Sequence, residues 1–168
     1  AWVDDMLASG RSSFYGVDGI TDTYYQIDAK TPAPVPQNDR TFRVEYLKRG
    51  NKKLKENFGA TLYDMGDGIA CLEFHTKMNS IDDDIIKMLH ASVDIAEKDF
   101  RGLVIGNDAE NFSAGANIMG LLMAAQSGQF DSIREMVSSL QKATQRLYYS
   151  PIPVVTCPGG LTLGGGAE

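Results

Sequence analysis

The sequence predicts an α/β fold. Short apolar runs at 69–74, 103–105 and 154–156 have the length and composition of strands. Two segments between them, 81–99 and 131–148, repeat apolar residues at helical spacing. Strand, helix, strand, helix, strand is the alternation of an α/β chain.

Each element has a local cause. Ile69–Phe74 follows the turn signal Gly66-Asp67-Gly68. Ser80 is an N-cap residue, with Asp82, Asp83 and Asp84 in the first turn, where the helix dipole favours acid. Ile81, Ile85, Leu89, Val93 and Phe100 then mark one face of a helix over 81–99. Leu103-Val104-Ile105 is a buried strand bounded by glycines. Asp131 caps a second helix whose face is Ile133, Met136, Val137, Leu140, Ala143 and Leu147, and Ser150-Pro151 ends it. Val154-Val155-Thr156 reads as another buried strand, running into the glycine-rich turn at 159–166.

Composition narrows the function classes. The chain has 168 residues, 43% hydrophobic and 23% charged, with a net charge of −6, which argues against general affinity for nucleic acid or anionic lipid. Two cysteines exclude a disulfide scaffold, and no CxxC or Cys/His cluster points to a metal. No apolar run is long enough to span a membrane and no leader pattern is present, so a soluble, cytoplasmic protein is expected. Neither end reads as a natural terminus, and a segment of a longer polypeptide is expected. Residues 1–60 carry a net charge of +1 and residues 61–168 a net of −7. Pro32, Pro34 and Pro36 predict an extended linker closing a first segment, 1–40. The seven basic residues Arg40, Arg43, Lys48, Arg49, Lys52, Lys53 and Lys55 predict a solvated connector over 41–59, with the compact domain at 60–168.

Two glycine-containing turns could carry chemistry, and each follows a short strand. They are Phe112-Ser113-Ala114-Gly115-Ala116-Asn117-Ile118 and the run Gly159–Glu168. Small residues let backbone approach a ligand closely, and two N–H groups converging on one oxygen form an oxyanion hole. Tight turns without a ligand are the plainer alternative. Phosphate binding is a third, but the second turn lacks the Lys-Ser/Thr ending of a phosphate loop and has no GxGxxG spacing.

Taken together and in order, these blocks resemble the enoyl-CoA hydratase/isomerase family, the crotonase superfamily. LVIGNDAENFSAGANI (103–118) is similar to its first oxyanion loop, PIPVVTCPGGLTLGGGAE (151–168) to its second, and GDGIACLEFHTKMNSID (66–82) to its opening strand and CoA-contacting turn. The resemblance implies a crotonase-like β-β-α spiral, truncated at the C-terminal side. Residues 1–40, notably Trp2 to Tyr15, look like the far end of a 3-hydroxyacyl-CoA dehydrogenase unit. That combination implies a bifunctional fatty-acid β-oxidation protein, with NAD serving the dehydrogenase unit and no cofactor in this segment.

Carried over by position, the two oxyanion donors are the backbone N–H groups of Ala116 and Gly165. Glu168 stands where hydratases keep the first of two catalytic glutamates; the second falls beyond it in the family. Acyl-CoA contacts fall on Asn79, Ser80, Ser113, Ala114, Gly115, Ala116, Gly164 and Gly165. The implied reaction is hydration of 2-enoyl-CoA to 3-hydroxyacyl-CoA, with an enoyl-CoA isomerase or a non-catalytic assembly module as alternatives. Negligible turnover by the segment alone is expected. Acyl-CoA thioesters, the rest of the polypeptide and further copies of the chain are the implied partners. Asn117 departs from the family's usual Asp, no Lys occurs in 118–125, and Pro158 interrupts the second strand.

The remaining candidates read as structural. His75 is expected at the surface and His90 packed or solvated, while Cys71 and Cys157 are expected to be buried small hydrophobes. Asp82–Asp84 serve the helix dipole rather than a metal, since successive helical residues point in different directions.

Overall fold

A computed structural model describes residues 2–38 and 42–168. The chain forms two compact units, Ala1–Asn51 and Lys52–Glu168.

The first unit holds helix α1 (Trp2–Ala8), strands β1 (Tyr15–Asp18), β2 (Thr21–Gln26) and β3 (Thr31–Pro34), and helix α2 (Val44–Arg49). The three strands form an antiparallel sheet with β2 in the centre. The prolines expected to make an extended linker are therefore partly in a strand: Pro32 and Pro34 pair opposite Tyr25 and Thr23. An edge strand tolerates proline because one side of its backbone has no ladder to donate to. Asp22 on β2 accepts from Arg49 Nη1 at 2.6 Å and from Tyr46 Oη at 3.1 Å, tying α2 to the sheet. The Arg49 guanidinium holds the Asp22 carboxyl below its ordinary range.

The second unit is built on a five-stranded sheet in the order β10-β8-β6-β5-β4. Its strands are β4 (Lys53–Glu56), β5 (Ala60–Gly66), β6 (Ile69–Phe74), β8 (Gly102–Gly106) and β10 (Val154–Cys157). β4, β5 and β6 run antiparallel, whereas β6, β8 and β10 run parallel. Two-residue strands β7 (Ser80–Ile81) and β9 (Gly115–Ala116) pair beside it. Helices α3 (Asp83–Asp99), α4 (Ile118–Gln126) and α5 (Phe130–Tyr148) complete the unit. The core lies between α3 and the sheet: Ile85, Met88, Leu89, Val93 and Ala96 pack on Leu62, Leu72, Leu103 and Ile105. α5 adds Ala143, fully buried, and packs Leu140 and Leu147 against the same cluster.

Several elements depart from the sequence expectations. The 41–59 connector is divided, with 44–49 helical in the first unit and 53–56 forming the exposed edge strand β4 of the second. Lysines on an edge strand keep it solvated and deter further pairing, the role open to Lys53 and Lys55, while Lys48 and Arg49 belong to the helix. Arg40, counted in that run, lies outside the described residues. Asp82, not Ser80, caps α3: its Oδ1 accepts from the N–H groups of Asp84 and Ile85, both at 3.0 Å. Ser80 is taken up in β7 instead. α5 begins one residue before Asp131, and Gln129 at its cap position makes no side-chain cap bond. β10 is largely exposed, and so is Cys157, because β10 is the outer strand of the sheet, paired on one side with β8. β5 and α4 had no counterpart in the sequence reading.

Candidate active site

Three chain segments meet beside the parallel half of the sheet. The first is the tight turn over Lys77–Asn79 leading into β7, the second is the loop from Asn107 to Ala116, and the third is the glycine turn ending in a 3-10 turn at Gly164–Gly166. β7 and β9 pair in parallel, placing Ser80 opposite Gly115 and Ile81 opposite Ala116. The second and third segments are joined through Ser113, whose N–H donates to the Leu161 carbonyl (3.2 Å) and whose carbonyl accepts from the Leu163 N–H (3.0 Å). Small residues are required at this junction. Gly115 has φ +90°, and a Cβ there would stand 2.6 Å from the Leu163 carbonyl oxygen. At Gly166 a Cβ would meet Ser113 Cβ at 2.6 Å.

That packing brings Gly165 against Ala116. A Cβ at Gly165 would lie 3.6 Å from the Ala116 nitrogen and 3.0 Å from Leu140 Cδ2. Neighbouring N–H groups are engaged by protein acceptors: Ala114 donates to Met78 O, Gly115 to Ser113 Oγ, Asn117 to Ile81 O and Gly166 to Leu163 O. Ala116, Gly165 and Glu168 all line one cavity of about 480 Å³. Its other walls are Ile81, Asp82, Asp83, Asp84 and Ile86 at the start of α3, Asn117, Gly120 and Leu121 at the start of α4, and Met136, Val137, Leu140 and Gln141 on α5.

The structure thus brings together the three residues expected to do chemistry. The remaining expected contacts lie behind them. Asn79 is 3% exposed, and its Nδ2 donates to the Asn111 carbonyl at 3.0 Å. Ser113 is fully buried, with its Oγ donating to the Asn79 carbonyl at 2.7 Å. Ser80 Oγ donates to the Gly115 carbonyl at 3.3 Å. Asn79, Ser80, Ser113, Ala114, Gly115 and Gly164 do not line the cavity. The α4 and α5 walls were not singled out from sequence as site residues. Met136, Val137 and Leu140 belong to the apolar helical face that the sequence predicts over 131–148, and that face supplies an apolar wall of the cavity.

Asp82, Asp83 and Asp84 line this cavity with Glu168, whereas His75, Cys71 and Cys157 do not. His75 is exposed, with its Nε2 2.9 Å from Thr61 Oγ1. Burial pushes the Cys71 thiol up to about 12, so it is no nucleophile at neutral pH. Among the described residues no group of His, Cys, Asp or Glu could hold a metal ion, and no helix is long and apolar enough to cross a membrane.

Residues 64–168 match the family model of the enoyl-CoA hydratase/isomerases. The chain belongs to that family. Solved enoyl-CoA hydratases share the fold: that of Shewanella pealeana aligns with a TM-score of 0.57 at 21% identity, over 64% of this chain and 41% of its own. The enzyme of a Polaromonas species aligns at 0.59 and 19%, over 64% and 42%. The second unit therefore has the crotonase fold. A Bacillus subtilis protein described as a 3-hydroxyacyl-CoA dehydrogenase is 38% identical over 167 residues, which is 99% of this chain and 21% of that protein. A trifunctional enzyme of a fatty acid oxidation complex in Rickettsia felis is 34% identical over 93 residues, covering 55% of this chain and 13% of its own length. The chain spans about one fifth, or less, of the length of these curated relatives.

Proposed function

We propose that the second unit is the thioester-binding part of a 2-enoyl-CoA hydratase acting in fatty-acid degradation. The observation that carries this is the convergence of Ala116, Gly165 and Glu168 on one cavity, with the Ala116 nitrogen 3.6 Å from the point where a Gly165 side chain would begin. In the proposed reaction a water oxygen bonds to C3 of the enoyl group while the π electrons move through C2 onto the thioester oxygen. The N–H groups of Ala116 and Gly165 stabilise that developing oxyanion. Each such donor contributes about 3 kcal/mol where one has been removed by mutation. Glu168 orients the water and takes its proton, and return of that proton from the Glu168 carboxyl to C2 restores the thioester and the free carboxylate. General acid–base catalysis of this kind contributes about 10²–10⁴-fold. Water entropy is a further cost that the cavity reduces by holding the nucleophile near C3.

The apolar wall from α4 and α5 suits an acyl chain, so acyl-CoA thioesters are the proposed substrate. The family's second glutamate is not among residues 1–168, and on this account those residues alone turn over negligibly. The match with the Bacillus subtilis relative extends through the first unit, which supports a polypeptide that also carries a 3-hydroxyacyl-CoA dehydrogenase. NAD belongs to that dehydrogenase. The first unit does not itself fit a dinucleotide, because its described residues form an antiparallel sheet with no strand–glycine turn–helix to cradle a pyrophosphate.

The test is hydration of a short 2-enoyl-CoA by the full natural polypeptide, followed as loss of the conjugated enoyl absorbance. Steady hydration, inhibited competitively by a saturated acyl-CoA, is expected. Migration of the double bond without hydration would instead establish an isomerase, and no reaction of either kind a non-catalytic module.

A further inference from the structure

The loop that carries Ala116 is fixed by a relay of buried polar groups that never reaches the cavity. Its anchor is the turn at Met78 and Asn79, consecutive non-glycine residues in the left-handed region at φ +58° and +49°. Such a pair costs conformational energy and persists only where the surroundings over-determine it. Here they do. Asn79 Nδ2 donates to Asn111 O (3.0 Å), the Met78 carbonyl accepts from Ala114 N–H (3.1 Å), and the Asn79 carbonyl accepts from Ser113 Oγ (2.7 Å). Ser113 Oγ in turn accepts from the Gly115 N–H at 3.0 Å. The backbone of the same residue bonds Leu161 and Leu163 in the glycine turn that leads to Gly165. Ser113 is thus tied to all three segments, its side chain to the left-handed turn and to the amide before Ala116, its backbone to the segment of the second donor, and Asn111 makes a parallel tie, its carbonyl accepting from Asn79 Nδ2 and its Oδ1 from the Leu161 N–H at 3.1 Å.

We propose that Asn79 and Ser113 are positioning residues that aim the Ala116 amide at the thioester oxygen, and are not substrate contacts. The proposal rests on the oxyanion role given above to Ala116 and Gly165. Both residues are more than nine-tenths buried, with Asn79 Nδ2 and Ser113 Oγ engaged inside the protein. Removing the Ser113 hydroxyl leaves the Gly115 N–H and the Asn79 carbonyl without this partner. The Ala114–Gly115 peptide plane then loses that restraint, leaving the next plane, which carries the Ala116 N–H, held by Ser80 Oγ on the Gly115 carbonyl.

The test uses Ser113→Ala, Asn79→Gly and Asn79→Asp in the full natural polypeptide. Glycine satisfies the left-handed φ at 79 and aspartate tolerates it, while both lack the amide donor. Two quantities are read: kcat and KM for hydration, and the carbonyl stretch of a bound saturated acyl-CoA labelled at the thioester carbon, which hydrogen bonding lowers. In the wild type the band moves down on binding. In each variant kcat falls about 10–100-fold with KM little changed, and the band returns toward its free value. Folded variants with wild-type kcat and carbonyl shift overturn the relay while leaving the oxyanion role intact. A rise in KM at unchanged kcat overturns it too, since that is the signature of a direct substrate contact. Absence of a shift in the wild type overturns the oxyanion role itself, and the relay with it. If Ser113→Ala does not fold, the two Asn79 variants decide.

Discussion

The Leu163 carbonyl oxygen closes over Gly115 so tightly that a side chain at 115 would begin 2.6 Å from it. The contact locks the first loop onto the second. Gly115→Ala has to accept both that overlap and φ +90°. The backbone conformation alone costs about 1–2 kcal/mol for a residue with a Cβ, and the overlap with main chain adds to it. Chemical denaturation is expected to show a loss larger than that figure, together with loss of enoyl-CoA turnover.

A second prediction concerns α3. Asp82 Oδ1 accepts two N–H bonds at its first turn and also stands on the cavity wall. Asp82→Ala is expected to lower unfolding free energy by about 1 kcal/mol, whereas Asp82→Asn, an equally good cap, stays close to wild type. Thermal melts of the two variants check this.

Arg146 on α5 makes a two-pronged pair with Glu97 on α3, one arm Nη2 to Oε2 at 2.6 Å, and Ser150 Oγ donates to the same carboxylate at 3.0 Å. The guanidinium holds the Glu97 carboxyl below its ordinary value of 4.5. Because the folded value is depressed, the stabilisation is complete above the unfolded value and is lost as pH falls through the folded one. Glu97→Gln is expected to be less stable than wild type at neutral pH, with the gap narrowing in acid and in high salt. Equal stability at both pH values would contradict the pairing.

Cysteine labelling separates the two thiols. Cys157 is exposed on β10, while burial raises the Cys71 thiol to about 12. In the folded chain at mildly alkaline pH, Cys157 is expected to alkylate and Cys71 to resist until denaturant is added.

Much of the second unit was legible in the sequence, for identifiable reasons. Ile69–Phe74 and Leu103–Ile105 show as continuous apolar runs because they sit inside the sheet, under α3. α3 and α5 show because each presents one apolar face to the core. α4 has no polar face to set a period, since Ile118, Met119, Leu122 and Met123 are apolar and exposed. Ser80 and Asp82 are both good caps two residues apart, and only the pairing of Ser80 with Gly115 decides between them. At the site, Ala116, Gly165 and Glu168 came from the family resemblance and line one cavity. Asn79 and Ser113 stand in the same motifs, yet their side chains turn inward to the Asn111 and Asn79 carbonyls, a difference that motif position does not reveal.

In the proposed mechanism Glu168 moves the proton while Ala116 and Gly165 hold the oxyanion. Comparing hydration of a short 2-enoyl-CoA by the full natural polypeptide and by its Glu168→Gln variant tests it most directly. The variant keeps size and hydrogen bonding at 168 and removes only the base. Loss of about 10²–10⁴-fold in kcat, with saturated acyl-CoA still bound as in wild type, is the predicted result. A variant that hydrates at the wild-type rate would contradict it.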